Sequence, residues 1–150
     1  MTELNDLYQQ VILDHNKRPR NYKKLENPTN QSEGFNPLCG DRIHIYVQLD
    51  GDAVQDISFE GSGCAISKAS ASMLTETVKG KSKAEIQEIF EKVHRMLTAA
   101  PQADVDTSGL GKLAAFSGVR EFPVRVKCAT LAWHTLNASL QGKPEPVSTE

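Results

Sequence analysis

The sequence predicts an α+β fold in which a small antiparallel sheet around residues 41–60 packs one face against helices. Two patterns support this prediction: strict two-residue alternation of hydrophobic side chains in the sheet segment, and apolar residues at helical spacing on both sides of it. The chain has 150 residues, of which 39% are hydrophobic and 24% are charged. These proportions are typical of one globular domain, here spanning residues 1–150.

An amphipathic helix is predicted over residues 3–15, where leucine, valine and isoleucine recur at helical spacing. It should end before Pro19, because the proline ring removes a hydrogen-bond donor and disfavours helical geometry in the residue before it. Residues 16–35 are rich in Asn, Lys and Pro. They predict an extended connection, part of which could pair as an edge strand.

The clearest strand is Asp41–Leu49. Its aliphatic residues fall on one face, and polar or aromatic residues such as His44 and Tyr46 fall on the other, where we expect water. Asp50-Gly51 supplies turn chemistry, and Val54–Glu60 continues as a second strand. The segment therefore predicts an antiparallel hairpin.

Helices follow the hairpin. One is predicted over residues 65–78, with Gly80 as its C-terminal cap. Ser82 and Glu85 match a capping box, in which two side chains satisfy free amides at a helix start. The helix that begins there should end near Ala99.

The C-terminal third contains a predicted loop over residues 101–109 and a short helix over residues 110–117. The last helix should begin at Pro123, a residue suited to the first helical position. Residues 142–150 contain two prolines and few large apolar side chains, and we expect this tail to be frayed.

Composition excludes several functional classes. Seventeen basic and nineteen acidic side chains give a net charge of −2, so no electrostatic excess indicates binding to nucleic acid or an anionic membrane. The apolar runs fall far short of the ~20 residues that span a bilayer. The polar N-terminus does not resemble a secretory signal, and we expect a cytoplasmic protein.

The three cysteines, Cys39, Cys64 and Cys128, each stand at an element boundary. An odd number cannot form a closed disulfide framework. Taken singly, each could be an inert core thiol, which is common. However, glycines beside Cys39 and Cys64 allow close backbone approach to a metal or reactant, and a helix start favours thiolate over thiol. The pattern therefore shifts the interpretation towards one shared site.

Asp41 strengthens that interpretation. By strand parity it shares the buried face with Ile43, and a buried carboxylate is costly unless it finds a cation. The alternative is that the strand begins at Arg42 and leaves Asp41 exposed. Three thiolates and one carboxylate would fill a tetrahedral zinc site, whereas magnesium and calcium prefer oxygen ligands. The spacing of the cysteines alone matches no short zinc signature.

Three segments resemble the cysteine motifs of the iron–sulfur cluster assembly family that includes IscU, the NifU N-terminal domain and SufU. They are Asn36–Asp41 (NPLCGD), Gly61–Ser67 (GSGCAIS) and Arg125–Cys128 (RVKC). Asp14–Asn21 (DHNKRPRN) also resembles that family, and the match runs in order from about residue 5 to residue 140. The resemblance implies the same α+β fold, with the site at one end of the molecule.

Three features indicate which branch of this family the sequence resembles. Lys127 precedes the third cysteine where scaffold proteins have histidine, and residues 121–125 (EFPVR) replace their Leu-Pro-Pro-Val-Lys motif. The extra segment around residues 100–117 resembles an insertion of the SufU branch. The resemblance therefore implies a zinc-dependent sulfurtransferase rather than a cluster scaffold.

In that branch, zinc would be held by Cys39, Asp41, Cys64 and Cys128. A cysteine desulfurase of the SufS type would pass persulfide sulfur to Cys39, and downstream iron–sulfur assembly machinery would receive it. Cys39 is the expected acceptor, and hence the catalytic residue, because its Gly/Pro-flanked loop can move while the other two cysteines open helices. Two alternatives stay open: a scaffold that assembles a cluster on the same thiolates, and an adaptor in which zinc only stabilises the fold.

The remaining candidate side chains have simpler interpretations. Solvated or capping roles are expected for the four histidines, His15, His44, His94 and His134, because no two share metal-ligand spacing. Trp133 and Phe90 are expected in the core. The positive charges of Arg125 and Lys127 are equally consistent with ordinary helix-start residues and with a role beside Cys128.

Overall fold

The computed structural model describes residues 2–100, 104, 107–143 and 146–148. Its helices are α1 (Thr2–Lys17), α2 (Ala65–Val78), α3 (Lys83–Thr98) and α4 (Pro123–Leu140), with a 3₁₀ helix at Gly111–Glu121. Its strands are β1 (Asn30–Asn36), β2 (Asp41–Asp50), β3 (Ala53–Ser62) and β4 (Val147–Ser148). The predicted α+β class is confirmed. Part of the predicted 101–109 loop, residues 101–103, 105 and 106, lies outside the described residues.

The four strands form one sheet in the order β3-β2-β1-β4. β1, β2 and β3 pair antiparallel, and the β2–β3 hairpin closes with Asp50 opposite Ala53. β1 comes from the connection that was predicted to contain an edge strand, but it lies inside the sheet because β4 covers its outer edge. At the C-terminal end of β1, Asn36 lies opposite Asp41, so the turn between β1 and β2 holds Cys39 at this end of the sheet.

Two residues of the tail that was expected to be frayed form strand β4. Val147 and Ser148 pair in parallel with Gly34 and Phe35 of β1, which makes the sheet mixed. The expectation of fraying rests on the two prolines and the few large apolar side chains of residues 142–150. The free backbone edge of β1 offers hydrogen-bonding groups, and these can order a short segment that has almost no apolar surface of its own.

The core lies between the sheet and the helices. Along β2, alternate side chains from Asp41 to Val47 are buried, as the alternation predicted. Trp133 on α4 is 2% exposed and Phe90 packs against the core, which confirms both expectations. Tyr46 departs from the pattern: it lies on the face expected to be solvated but is 4% exposed. It stacks on His44, and its hydroxyl donates to Glu60 Oε1 at 2.7 Å.

Gly34 sets how closely β1 approaches α4. An added Cβ at this position would overlap Thr135 Oγ1 and press against Leu131, so the strand backbone lies directly against the helix. Only glycine permits this approach without a shift of one element. The contact therefore fixes α4, which carries Cys128, against the strand that ends beside Cys39.

His15 corrects the expectation of a solvated or capping histidine. It is 1% exposed, its Nδ1 lies 2.7 Å from Ser72 Oγ on α2, and its Nε2 lies 3.7 Å from Glu76 Oε1. The Arg20 backbone N–H donates to the same hydroxyl at 2.8 Å. Because α2 buries a run of serine and alanine residues, α1 comes close enough to cover the imidazole.

The elements after the hairpin follow their local signals. α2 has the predicted bounds with Gly80 at φ +84°, and the capping box of Ser82 and Glu85 is present. The predicted short helix at 110–117 is a longer 3₁₀ helix. Its large buried side chains recur every third residue, the period of that helix: Leu110, Leu113, Phe116 and Val119. No helix in the described ranges combines the length and apolarity needed to cross a bilayer.

Candidate metal centre

Three elements converge at the end of the sheet: the β1–β2 turn, the start of α2 and the second turn of α4. Ligand atoms of Cys39, Asp41 and Cys128 all lie within 4.8 Å of one another. The Sγ atoms of Cys39 and Cys128 are 3.3 Å apart. Side chains separated by up to 89 residues in sequence therefore meet at one point.

Asp41 lies at the centre of this cluster and is 2% exposed. The strand begins at Asp41, so the alternative of an exposed carboxylate is wrong. Oδ1 accepts the Cys64 backbone N–H at 2.8 Å, and Oδ2 accepts from Asn36 Nδ2 at 3.1 Å. Gly63 leaves space for this carboxylate, because an added Cβ there would overlap Asp41 Oδ1.

Cys64 approaches the cluster from the N-terminus of α2, where it is the N-cap. Its Sγ accepts the Ser67 backbone N–H at 3.4 Å and lies 3.9 Å from Asp41 Oδ2. It is not a member of the set whose ligand atoms all lie within 4.8 Å of one another. Cys64 therefore meets the cluster at Asp41 and also interacts with Cys128, whose pKa it helps to raise.

Cys128 and Cys39 have opposite environments. Cys128 is 1% exposed, whereas Cys39 is exposed. Burial raises the pKa of the Cys128 thiol, and the adjoining Cys39, Asp41 and Cys64 side chains raise it further. A thiol in this position becomes a thiolate only when a cation compensates its charge.

The donor set fits zinc. Thiolates at about 2.3 Å from a tetrahedral zinc ion lie about 3.8 Å from each other. The 3.3 Å between the Cys39 and Cys128 sulfurs is close to that spacing and far beyond the ~2.05 Å of a disulfide. Sulfur donors also favour zinc over magnesium or calcium.

Sequence reasoning assigned no role to Asn36. This residue is 0% exposed, and its Nδ2 lies 3.1 Å from Asp41 Oδ2 and 3.3 Å from Cys128 Sγ. It stands three residues before Cys39, but only the folded structure places it against Cys128, 92 residues later.

Comparisons with known proteins extend these observations. Residues 7–129 match the family model of the NifU-like N-terminal domain. The chain belongs to that family.

Two curated relatives and one solved structure illustrate the similarity. The zinc-dependent sulfurtransferase SufU of Bacillus subtilis is 47% identical over 89% of this chain and 88% of its own length. The iron-sulfur cluster assembly scaffold protein IscU of Streptococcus pyogenes is 39% identical over 94% of this chain and 87% of its own. A crystal structure whose protein is described as a putative iron-sulfur cluster assembly scaffold protein for the SUF system, SufU of Fervidobacterium islandicum, superposes with a TM-score of 0.81 at 37% identity, covering 87% of this chain and 94% of that one.

In this member of the NifU-like N-terminal domain family, an open groove of about 780 Å³ leads to the three cysteines. Its walls are mostly apolar and include three exposed apolar side chains: Leu13 (50%), Val124 (49%) and Phe122 (45%). Arg125 also lines the groove, and its guanidinium lies over the Phe122 ring at 4.5 Å.

Lys127, which the sequence analysis interpreted together with Arg125, does not line this groove. It lines a separate cavity of about 400 Å³ beside Thr130 and Lys143. The two positive charges before Cys128 therefore face different surfaces of the NifU-like domain.

The other histidines stay outside the cluster. His94 and His134 approach each other on α3 and α4, with ring centroids 6.4 Å apart beside Phe90. Burial, with a smaller contribution from His94, lowers the pKa of His134, which favours a neutral imidazole. Cys39–Asp41–Cys128 is the one metal-ligand triad found among the described residues.

Proposed function

We propose that this chain is a zinc-dependent sulfurtransferase that accepts persulfide sulfur on Cys39 from a cysteine desulfurase during iron–sulfur cluster assembly. The observation that carries the proposal is the contrast between Cys39 and Cys128: their sulfurs are 3.3 Å apart, but Cys39 is exposed and Cys128 is buried. A structural zinc site needs only a closed set of four protein ligands. A transfer site also needs one sulfur that a partner can reach.

Cys39, Asp41, Cys64 and Cys128 would hold the ion. When bound, zinc supplies the positive charge that keeps clustered thiols deprotonated at neutral pH. Asp41 contributes a buried negative charge already fixed by two hydrogen bonds. Cys64 contributes a thiolate favoured by the partial positive charge of the α2 N-terminus.

Cys39 would carry the chemistry. Its thiolate attacks the terminal sulfur of the desulfurase persulfide, forming a new S–S bond at Cys39 while the S–S bond on the desulfurase breaks. The electron pair of the broken bond leaves with the desulfurase cysteine as a thiolate, as in thiol–disulfide exchange. The exposed turn of residues 37–40 gives Cys39 the access that this reaction requires.

The groove would receive the partner. Its exposed apolar side chains suit contact with another protein surface, and Arg125 adds a positive charge beside the transfer site. Downstream iron–sulfur assembly proteins would then take sulfur from the same accessible position.

A sulfur-transfer assay tests the proposal. A cysteine desulfurase charged with ³⁵S-cysteine is mixed with zinc-loaded wild-type protein, with Cys39→Ala, or with Ser62→Ala as an exposed control near the site. Label should be stable on wild type and on Ser62→Ala. It should be absent from Cys39→Ala, whose circular dichroism should match the wild type. Normal labelling of a folded Cys39→Ala protein would refute the assignment.

A scaffold function is the second candidate, because a relative named as a scaffold is 39% identical over 94% of this chain. Anaerobic reconstitution with iron and sulfide separates the two. A scaffold should gain a stable cluster chromophore and pass it to an apo-protein acceptor. A sulfurtransferase should keep zinc and gain no stable cluster.

The adaptor alternative is tested with the same variant. If zinc only stabilises the fold, a zinc-loaded Cys39→Ala protein should stimulate the desulfurase as well as wild type does. We expect that stimulation to be lost.

A further inference from the structure

Asn36 touches three of the four proposed zinc ligands. Its Nδ2 lies 3.1 Å from Asp41 Oδ2 and 3.3 Å from Cys128 Sγ. Its backbone carbonyl accepts the Cys39 N–H at 3.3 Å. The side chain is completely buried at the end of β1, so solvent does not compete for these contacts.

The orientation of the amide follows from its partners. A carboxylate offers only acceptors, so the group that faces Asp41 must be the NH₂ of the Asn36 amide. That NH₂ has two hydrogens, and two acceptors, an oxygen and a sulfur, lie within reach of it. Each N–H bond to an anionic acceptor stabilises the charged form of that acceptor.

The amide oxygen of Asn36 indicates that the residue does more than fill space in the core. Asn36 Oδ1 is buried without a hydrogen-bond partner among the described residues. Burying an unpaired carbonyl oxygen is unfavourable, and an aliphatic side chain of similar size would avoid it. The hydrogen bonds that the Asn36 side chain makes are therefore those of its NH₂ group.

The three sulfurs are not held equally. Cys128 Sγ is contacted by the Asn36 amide, and Cys64 Sγ accepts the Ser67 N–H at 3.4 Å. Between described residues, no N–H bond to Cys39 Sγ is present, and its contact is with the Cys128 sulfur. Cys39 is thus the sulfur with the fewest constraints on leaving.

We propose that Asn36 is a positioning residue that holds Asp41 and Cys128 on the cation, so that Cys39 is the ligand that leaves. The inference rests on the proposed zinc site and explains which of its ligands is released. Hydrogen-bond partners of metal ligands act in this way by fixing orientation and charge.

Zinc affinity is the first test, measured by competition with a chromogenic chelator. Asn36→Ala and Asn36→Leu both lack the NH₂ group, and leucine retains most of the volume if alanine leaves an unstable cavity. Ser139→Ala is the control, because it alters a fully buried polar side chain of α4 that also lacks a partner in the described structure. Both Asn36 variants should lose about 10–100-fold in zinc affinity, and Ser139→Ala should lose none.

Ligand release is the second test and separates positioning from general stability. Zinc-loaded protein is treated with iodoacetamide, and alkylation of each cysteine is followed by peptide mass spectrometry. Wild type should react first at Cys39. In Asn36→Leu the ratio of Cys39 to Cys128 reaction rates should fall by roughly tenfold, because Cys128 has lost its N–H bond.

These outcomes decide the proposal without a desulfurase, so failure of sulfur transfer would not be confused with failure of the Asn36 role. An unchanged zinc affinity or an unchanged ratio of alkylation rates in a folded Asn36 variant overturns it. An equal loss of affinity in Ser139→Ala also overturns it, since the effect would then belong to the fold.

Discussion

The β1–β2 turn and the start of α4 each bring one cysteine to the same point, but they support it differently. The turn, residues 37–40, is exposed throughout and holds Cys39 by one backbone hydrogen bond from its N–H to Asn36. Cys128 lies on a helix that packs against the sheet, and its sulfur is buried and contacted by an amide. The two residues offer the same thiol group, but Cys39 is held less firmly than Cys128. A site that both binds a cation and reacts would require this difference.

The sharpest test of this comparison exchanges each cysteine for alanine. Cys128→Ala should lower zinc affinity by at least about 100-fold, because it removes a direct ligand whereas partners of ligands are worth 10–100-fold. Cys39→Ala should lower it less, because the exposed turn contributes a weakly held ligand. Chelator competition on both variants measures the difference, and equal losses would remove the distinction between the turn and the helix.

Asp41→Asn tests the anchored side without removing a sulfur. The amide NH₂ of the new residue would face either the Cys64 N–H or the Asn36 NH₂, so a donor would meet a donor. Zinc affinity should fall by about 10–100-fold. Asp56→Asn is the matched control, because Asp56 pairs with Lys79 on the surface at 3.2 Å, and it should bind zinc as wild type does.

Two glycines give a closely matched pair on the two sides. Gly40 in the turn has φ +71° with open space around it, whereas Gly63 has φ +145° and lies against Asp41. Gly40→Ala should cost about 1–2 kcal/mol of unfolding free energy from backbone strain alone. Gly63→Ala should cost about 1–3 kcal/mol more from overlap with the carboxylate.

Denaturant unfolding of both glycine variants measures these costs. Zinc titration should show weakened binding in Gly63→Ala only. Equal effects on zinc binding would indicate that the Asp41 position does not depend on Gly63.

The smallest expected effect concerns α1, which forms a wall of the groove through Ile12 and Leu13. Burial lowers the pKa of His15 and the nearby Arg20 lowers it further, while Glu76 opposes the shift. The unfolded chain then binds more protons than the folded one below the unfolded pKa of about 6.5, so stability falls as pH drops through that value. None of the proposed zinc ligands is among the groups that shift the pKa of His15.

His15→Gln tests that pH dependence. The unfolding free energy of wild type should decrease between pH 7.5 and pH 5 more steeply than that of the variant, measured with the same denaturant. His134 has a pKa shifted in the same direction and leaves a residual slope in both proteins. Identical slopes would show that α1 is not anchored through a neutral imidazole.

Local signals predicted most of the fold. The alternation along β2, the capping box at Ser82 and the proline at position 123 each act over a few residues, and each element begins where predicted. The large buried side chains of the 3₁₀ helix recur every third residue, but the sequence analysis did not use this spacing and predicted only a short helix over residues 110–117. The helical prediction there failed in type and length but correctly placed a helical insertion before Cys128.

Long-range contacts escaped sequence reasoning. β4 pairs with a strand more than 110 residues earlier, and His15 is buried only because α2 presents Ser72 to it. At the metal centre, strand parity correctly placed Asp41 on the buried face. No periodicity could place Asn36 against Cys128, because that contact depends on how β1 and α4 pack.

The bare backbone at Gly34 has a consequence for how the centre is assembled. Since the backbone of β1 lies directly on α4 there, this contact fixes the position of Cys128 relative to the β1–β2 turn. A slip of α4 by one residue would carry its sulfur about 1.5 Å along the helix axis and about 100° around it. A bulkier residue at position 34, which is 94 residues before Cys128, would therefore shift Cys128 relative to Cys39 and Asp41 rather than leave a cavity in the core.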